Sequence, residues 1–193
     1  DLLDPRWNGQ TCFANPLFGT TGTHLAALYS ICGATETESY FRGLVGQNGA
    51  TVLPGNAQVK NAVAAGKFTA GLTDTDDAHL AILAGKPVDI VFPDSDGIGT
   101  LLIPNTVALV AGGPHPEEGK RLIDFLLSRS VEETLCRSRS AQIPLRTAVE
   151  IRPGLPHIET ARWMEVDFEE VARRLKDSTG FARELSRHTA SGR

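Results

Sequence analysis

Residues 51–84, TVLPGNAQVKNAVAAGKFTAGLTDTDDAHLAILA, decide the fold. Thr51–Leu53 reads as a short strand, and Gly55-Asn56 opens a helical pattern that runs to Ala65 and is closed by Gly66. Thr69–Leu72 reads as a second strand. It runs straight into three aspartates, Asp74, Asp76 and Asp77, and Asp76–Ala84 is helical again before Gly85 and Pro87 stop it. Strands alternating with helices indicate βαβ units and a mostly parallel sheet. Ligands of such sheets are held beyond the carboxyl ends of the strands, where the aspartates stand. Two unit charges about 6 Å apart at an effective dielectric near 20 repel by roughly 3 kcal/mol. Water, a helix N-terminus or a bound cation must offset that repulsion.

The same alternation extends outward. Thr11–Ala14 reads as a strand, followed by the loop NPLFGTTG and a helix from Gly22 to Cys32, with Leu25, Ala26, Leu28, Tyr29 and Cys32 at helical spacing and Gly33 as its stop. Glu38–Val45 reads as another helix. Downstream, Val88–Phe92 reads as a fourth apolar strand, PDSDGIG as a turn-rich joint, and Thr100–Val110 as a long apolar strand interrupted by Pro104-Asn105. Pro116–Leu127 is an amphipathic helix and Val131–Cys136 a short one. Residues 138–166 are irregular. Asp167 caps a helix over Phe168–Lys176, and a second helix is expected over Phe181–His188.

The chain of 193 residues carries a net charge of −4, concentrated in its first half, where five Lys and Arg face ten Asp and Glu. That balance argues against nucleic acid and for a cationic ligand, with ordinary surface acidity as the plainer alternative. The three cysteines, Cys12, Cys32 and Cys136, are isolated and lack metal-ligand spacing. No apolar run reaches the length of a membrane span. The N-terminus DLLDPRW shows no signal peptide, and a trimmed mature chain would read the same way.

Four segments carry a resemblance: LLDPRWNGQTCFANPLFGTTGTHLAAL, PGNAQVKNAVAAGKFTAGLT, PEEGKRLIDFLLSRSVEETLC and AQIPLR, spread over residues 2–146. In their order and spacing they resemble the C-terminal two thirds of a bacterial solute-binding protein of the ferric-ion-binding type, the receptor of an ABC importer. The resemblance implies an α/β fold of the type II periplasmic-binding-protein class, with a parallel-type sheet in the second lobe and an incomplete first lobe. Residues 1–92 would form the second lobe. Residues 93–193 would supply hinge strands, the remainder of the first lobe and the C-terminal helices. It also implies a periplasmic or extracellular place in the cell envelope, an ABC permease as membrane partner, and a bound metal cation such as iron(III) with phosphate or carbonate. Apolar surface on Leu101–Ile103 and Arg121–Leu127 would then call for self-association or pairing with a missing lobe segment.

The candidate sites follow. In GTTGTH, Thr20, Thr21, Gly22 and Thr23 lie where a loop enters a helix, a place suited to an anion. The resemblance implies a phosphate or carbonate there, with the Asn56 amide reaching the same anion. Plain helix capping by Thr21, Thr23 or Asn56 is the alternative. Counting from the strand, Asp76 and Asp77 stand where metal-binding relatives carry two adjacent tyrosines. Carboxylates also accept other hard cations or an organic ammonium, so Asp74, Asp76 and Asp77 are candidates for a metal or cationic ligand. First-turn charges that merely complement a helix dipole are the alternative. An organic phosphonate bearing an amine is a second reading of the solute. Asp94-Ser95-Asp96-Gly97 lacks the glutamate of a calcium loop and reads as a hinge turn. Asp74-Thr75-Asp76 after a strand also fits an aspartyl phosphotransferase, but no partner lysine motif, nucleophile elbow or phosphate loop accompanies it. The expectation is a binding protein rather than an enzyme.

Overall fold

The computed structural model describes residues 2–191. Three short strands, β1 (Thr11–Ala14), β2 (Thr51–Leu53) and β3 (Ala70–Leu72), form a parallel sheet in the order β2-β1-β3. Cys12 stands opposite Thr51 on one side and Gly71 on the other. As the central strand, β1 buries all four residues, as a strand covered on both faces does. Its side chains alternate between two cores. Phe13 joins Leu25, Tyr29, Phe41, Leu44 and Phe181. Cys12 and Ala14 join Val59, edged by Leu53, Val63 and Phe68. Burial pushes the Cys12 thiol up to about 11, so it acts as a small apolar residue.

The helices are α1 (Gly19–Ile31), α2 (Ala34–Arg42), α3 (Asn56–Ala64), α4 (Thr75–Leu83), α5 (Pro116–Leu126), α6 (Arg129–Arg137) and α7 (Phe168–Ser191). Helix α2 passes directly into a π-helical turn, Gly43–Gln47. Helices α1, α3 and α4 each follow the carboxyl end of a strand, which carries their N-termini to one edge of the sheet. Gly71 makes the packing of α3 on β3 possible. A Cβ there would stand 2.5 Å from Val59 Cγ1 and 2.9 Å from Val63 Cγ2.

Contacts divide the chain into two compact units, residues 1–91 with 164–193, and residues 92–163. The first holds the sheet, and within it α7 packs along α1. The second holds α5, α6 and a small core of Cys136, Ala141, Val149 and Leu155. Glu132 on α6 fastens the following segment. It accepts the backbone N–H groups of Leu145 (2.5 Å) and Arg146 (3.0 Å) and the Arg146 guanidinium. Arg146 also donates to the Leu127 carbonyl at 2.6 Å.

Several expectations are corrected. Residues 88–92 and 101–110 form no strand, and only Thr100 makes an isolated bridge, to Trp163. A strand needs a neighbour for its N–H and C=O groups. Among the described residues no strand lies alongside these segments, and Val91 and Val110 are 85% and 78% exposed. The two closing helices are one. Gly180 faces open space, and the helical cost of about 1 kcal/mol for a glycine is offset where Phe181, Ala182 and Leu185 enter the main core. Asp167 caps this helix as expected, accepting from the Glu169 N–H at 2.9 Å. The helix lies in the first unit. Helix α5 leaves Leu122, Phe125 and Leu126 exposed, as anticipated, whereas Leu101–Ile103 are half-buried.

Candidate functional site

Helices α1, α3 and α4 begin without help from their own cap residues. Phe18, Gly55 and Asp74 hold the cap positions, and none gives a side-chain hydrogen bond to its helix. The capping alternative for Asn56 therefore fails: it is the first helical residue of α3, and Gly55 precedes it as the cap. The first N–H groups of each helix have no acceptor four residues back, and in α3 the Gln58 N–H turns to the Gly55 carbonyl at 3.1 Å.

The side chains instead reach from one turn to another. Asn56 Nδ2 donates to Thr20 Oγ1 at 2.8 Å and to Asp74 Oδ2 at 2.5 Å. Thr20 Oγ1 donates to the same Asp74 oxygen at 3.3 Å. Thr21 Oγ1 donates to Asn56 Oδ1 at 3.5 Å, and Thr73 Oγ1 to the Asn56 carbonyl at 3.3 Å. One amide thus joins the turns after all three strands. Thr73 escaped the sequence reading because nothing in its pattern sets it apart from an ordinary turn threonine.

Asp74 is the strained member electrostatically. Its Oδ1 is buried and accepts from no donor, and the Asp76 carboxyl stands within hydrogen-bond reach of Asp74. Burial pushes its carboxyl up to about 6, the neighbouring Asp76 adds to the rise through charge and contact, the Asn56 amide opposes it, and Asp77 adds a further push. Asp76 and Asp77 occupy the first turn of α4, where the helix dipole favours negative charge. Perturbed carboxyls of this kind concentrate at functional sites.

The structure brings together Thr20, Thr21, Asn56 and Asp74, with Asp76 beside Asp74 and Asp77 in the same turn. It does not bring Gly22 or Thr23 to this point. The Gly22 N–H donates to the Phe18 carbonyl at 3.2 Å, and a Cβ on Gly22 would stand 3.0 Å from the Pro16 carbonyl oxygen. Gly22 therefore serves the packing of α1 on its own loop. Thr23 Oγ1 turns back to the Gly19 carbonyl at 3.5 Å. The helix begins three residues earlier than its apolar pattern suggests, so the free first turn is Gly19–Thr21. Among the described residues no three His, Cys, Asp or Glu side chains are grouped so as to hold a metal ion.

The sequence profile of the bacterial extracellular solute-binding proteins matches residues 1–170. The chain belongs to that family. Among its relatives in the solute-binding family is a candidate 2-aminoethylphosphonate-binding periplasmic protein of Salmonella typhi, 28% identical over 166 residues that make up 83% of this chain and 48% of the relative. Iron uptake protein A1 of Synechocystis is 27% identical over 77% of this chain and 45% of its own length. The chain thus spans about half the length of the curated relatives it matches. Among solved structures, the ferric binding protein from Campylobacter jejuni superposes with a TM-score of 0.81 at 18% identity, over 95% of this chain and 60% of that one. Iron-bound HitA from Pseudomonas aeruginosa gives 0.76 at 21% identity, over 96% and 60%. At these identities the structural likeness speaks for the fold, the type II periplasmic-binding architecture that the sequence implied. No helix among the described residues is long and apolar enough to cross a membrane.

Proposed function

We propose that this protein captures a small, positively charged solute for an ABC importer of the bacterial cell envelope, at the edge of the sheet where Thr20, Thr21, Asn56 and Asp74 meet beside Asp76 and Asp77. One observation carries the reading. The turns after all three parallel strands converge on a carboxylate cluster whose negative charge no lysine or arginine neutralises in any ion pair among the described residues. The mechanism is capture, not turnover: bound solute favours the conformation that a membrane permease recognises.

The names of the relatives suggest two solutes, iron and 2-aminoethylphosphonate. A metal ion would be cargo held by Asp74, Asp76 and Asp77.

A thermal-shift screen of metal salts, alkylammonium salts and 2-aminoethylphosphonate tests the proposal. A solute at 100 times its Kd stabilises the fold by about 2.7 kcal/mol. The expected result is a rise in Tm with at least one cationic solute that is absent from the Asp76→Ala/Asp77→Ala variant. An equal rise in both proteins refutes the assignment of the site.

A further inference from the structure

The second unit carries an open backbone edge. Among the described residues, no backbone N–H of residues 101–112 donates a hydrogen bond, and of their carbonyls only that of Val110 accepts one, from the Gly113 N–H at 3.2 Å. The segment is nonetheless held in place. Thr100, just before it, donates its N–H to the Arg162 carbonyl at 3.0 Å. Asn105 Nδ2 donates to Gln142 Oε1 at 2.6 Å. Leu109 lies so close to α5 that a Cβ on Gly119 would stand 2.5 Å from its Cδ1. Exposed edges in folded proteins are guarded by charged side chains, prolines or bulges. Residues 97–116 contain no Lys, Arg, Asp or Glu, and Pro104 is the one proline within 101–112.

The side chains beside this edge are apolar and uncovered. Leu122, Phe125 and Leu126 lie on one side of α5 at helical spacing and are exposed, as are Val107, Leu109 and Val110 on the segment itself. We infer that residues 101–112 are a docking edge for an apolar strand, and that the strand comes from a polypeptide segment equivalent to the part of the solute-binding fold that this chain does not occupy. The comparison of lengths identifies the occupant. Residues of this chain superpose over 95% of their number on the Campylobacter jejuni protein, yet fill only 60% of it, and over 96% on HitA, again filling 60%. The fold is kept where the chain is present, and a large further part of it lies beyond these residues. Strand addition gives the free N–H and C=O groups partners, while side chains of the same segment cover Leu122 and Phe125. This inference does not depend on the capture reading above.

Co-expression tests it. The probe is the part of the Salmonella typhi relative outside the 166 residues it shares with this chain. The expected result is a one-to-one complex in which amide hydrogen exchange over residues 101–112 slows by about a hundredfold relative to the free chain. Neighbouring N–H groups of a strand point to opposite edges, so Val107→Pro or Ala108→Pro removes a donor from the edge in use and is expected to weaken the complex by about tenfold or more. Leu122→Asp/Phe125→Asp is expected to weaken it as much. All these side chains are exposed and the two N–H groups are unbonded in the free chain, so the free variants should keep the wild-type Tm. No complex, a complex that leaves residues 101–112 unprotected, or one indifferent to both prolines overturns the inference. A free chain that dimerises with the same protection overturns it too, in favour of a second copy as the occupant.

Discussion

Asp74 and Glu132 are both carboxylates at the start of a helix, and their surroundings treat them in opposite ways. Glu132 loses hydration on burial, but the Arg146 guanidinium and the N–H groups of Arg146 and Leu145 more than compensate and hold it below the usual carboxylate range. Asp74 is half-buried, accepts from an amide and a hydroxyl on one oxygen and from no donor on the other, faces Asp76, and is pushed up to about 6. The first is a finished structural joint. The second has unmet demand for positive charge, which a cationic solute would supply under the proposed capture.

The largest effect that would sharpen this contrast is at Glu132. Replacing it with alanine removes the acceptor of two backbone donors and of a half-exposed guanidinium, and is expected to cost about 1–2 kcal/mol. The wild-type contribution is fully present above the ordinary glutamate pKa and is lost as pH falls through the lowered one. Urea denaturation at pH 7 and at pH 3 checks both points; a loss under 1 kcal/mol at pH 7 would break the comparison.

The opposite sign is expected at Asp74. Because its carboxyl is raised in the fold, the stability favouring its protonated form is complete below pH 4 and is lost as pH rises through about 6. Asp74→Asn should therefore stabilise the protein at pH 7.5 by about 1 kcal/mol, after allowance for solvent reaching a half-buried group, and change little at pH 4. Denaturation across that range checks the sign, and a destabilised variant at pH 7.5 would place Asp74 with Glu132 instead.

The smallest effect belongs to Asp77. It gains about 0.3–1 kcal/mol from the dipole of α4 and loses a similar amount by repelling Asp74. Asp77→Asn should leave Tm nearly unchanged while lowering the affinity for ethylammonium severalfold. A large shift in Tm with no change in affinity would make this residue a plain helix-start charge.

Much of the first unit was legible. The strands at 11–14, 51–53 and 70–72 and the helices between them follow from short apolar runs, glycine stops and helical spacing, all of which act over a few residues. The apolar segments 88–92 and 100–110 were misread because composition reports an affinity for burial but not the presence of a neighbour to bury against. At the site, the aspartates and threonines were visible as residues. Their wiring was not, since Asn56 reads locally as a cap and Gly22 as an opening for an anion.

The sequence alone determined that this chain alternates strands with helices, that its aspartates stand at the carboxyl end of a strand, and that it resembles the solute-binding family. These properties depend on residues close together in the chain. Only the tertiary structure decided which oxygen receives which donor. Thr20, Asn56 and Asp74 lie 36 and 18 positions apart and meet because β1 is the middle strand, with β2 and β3 on either side of it. Hydrogen bonding and charge repulsion act over a few ångströms of space, whatever the distance along the chain.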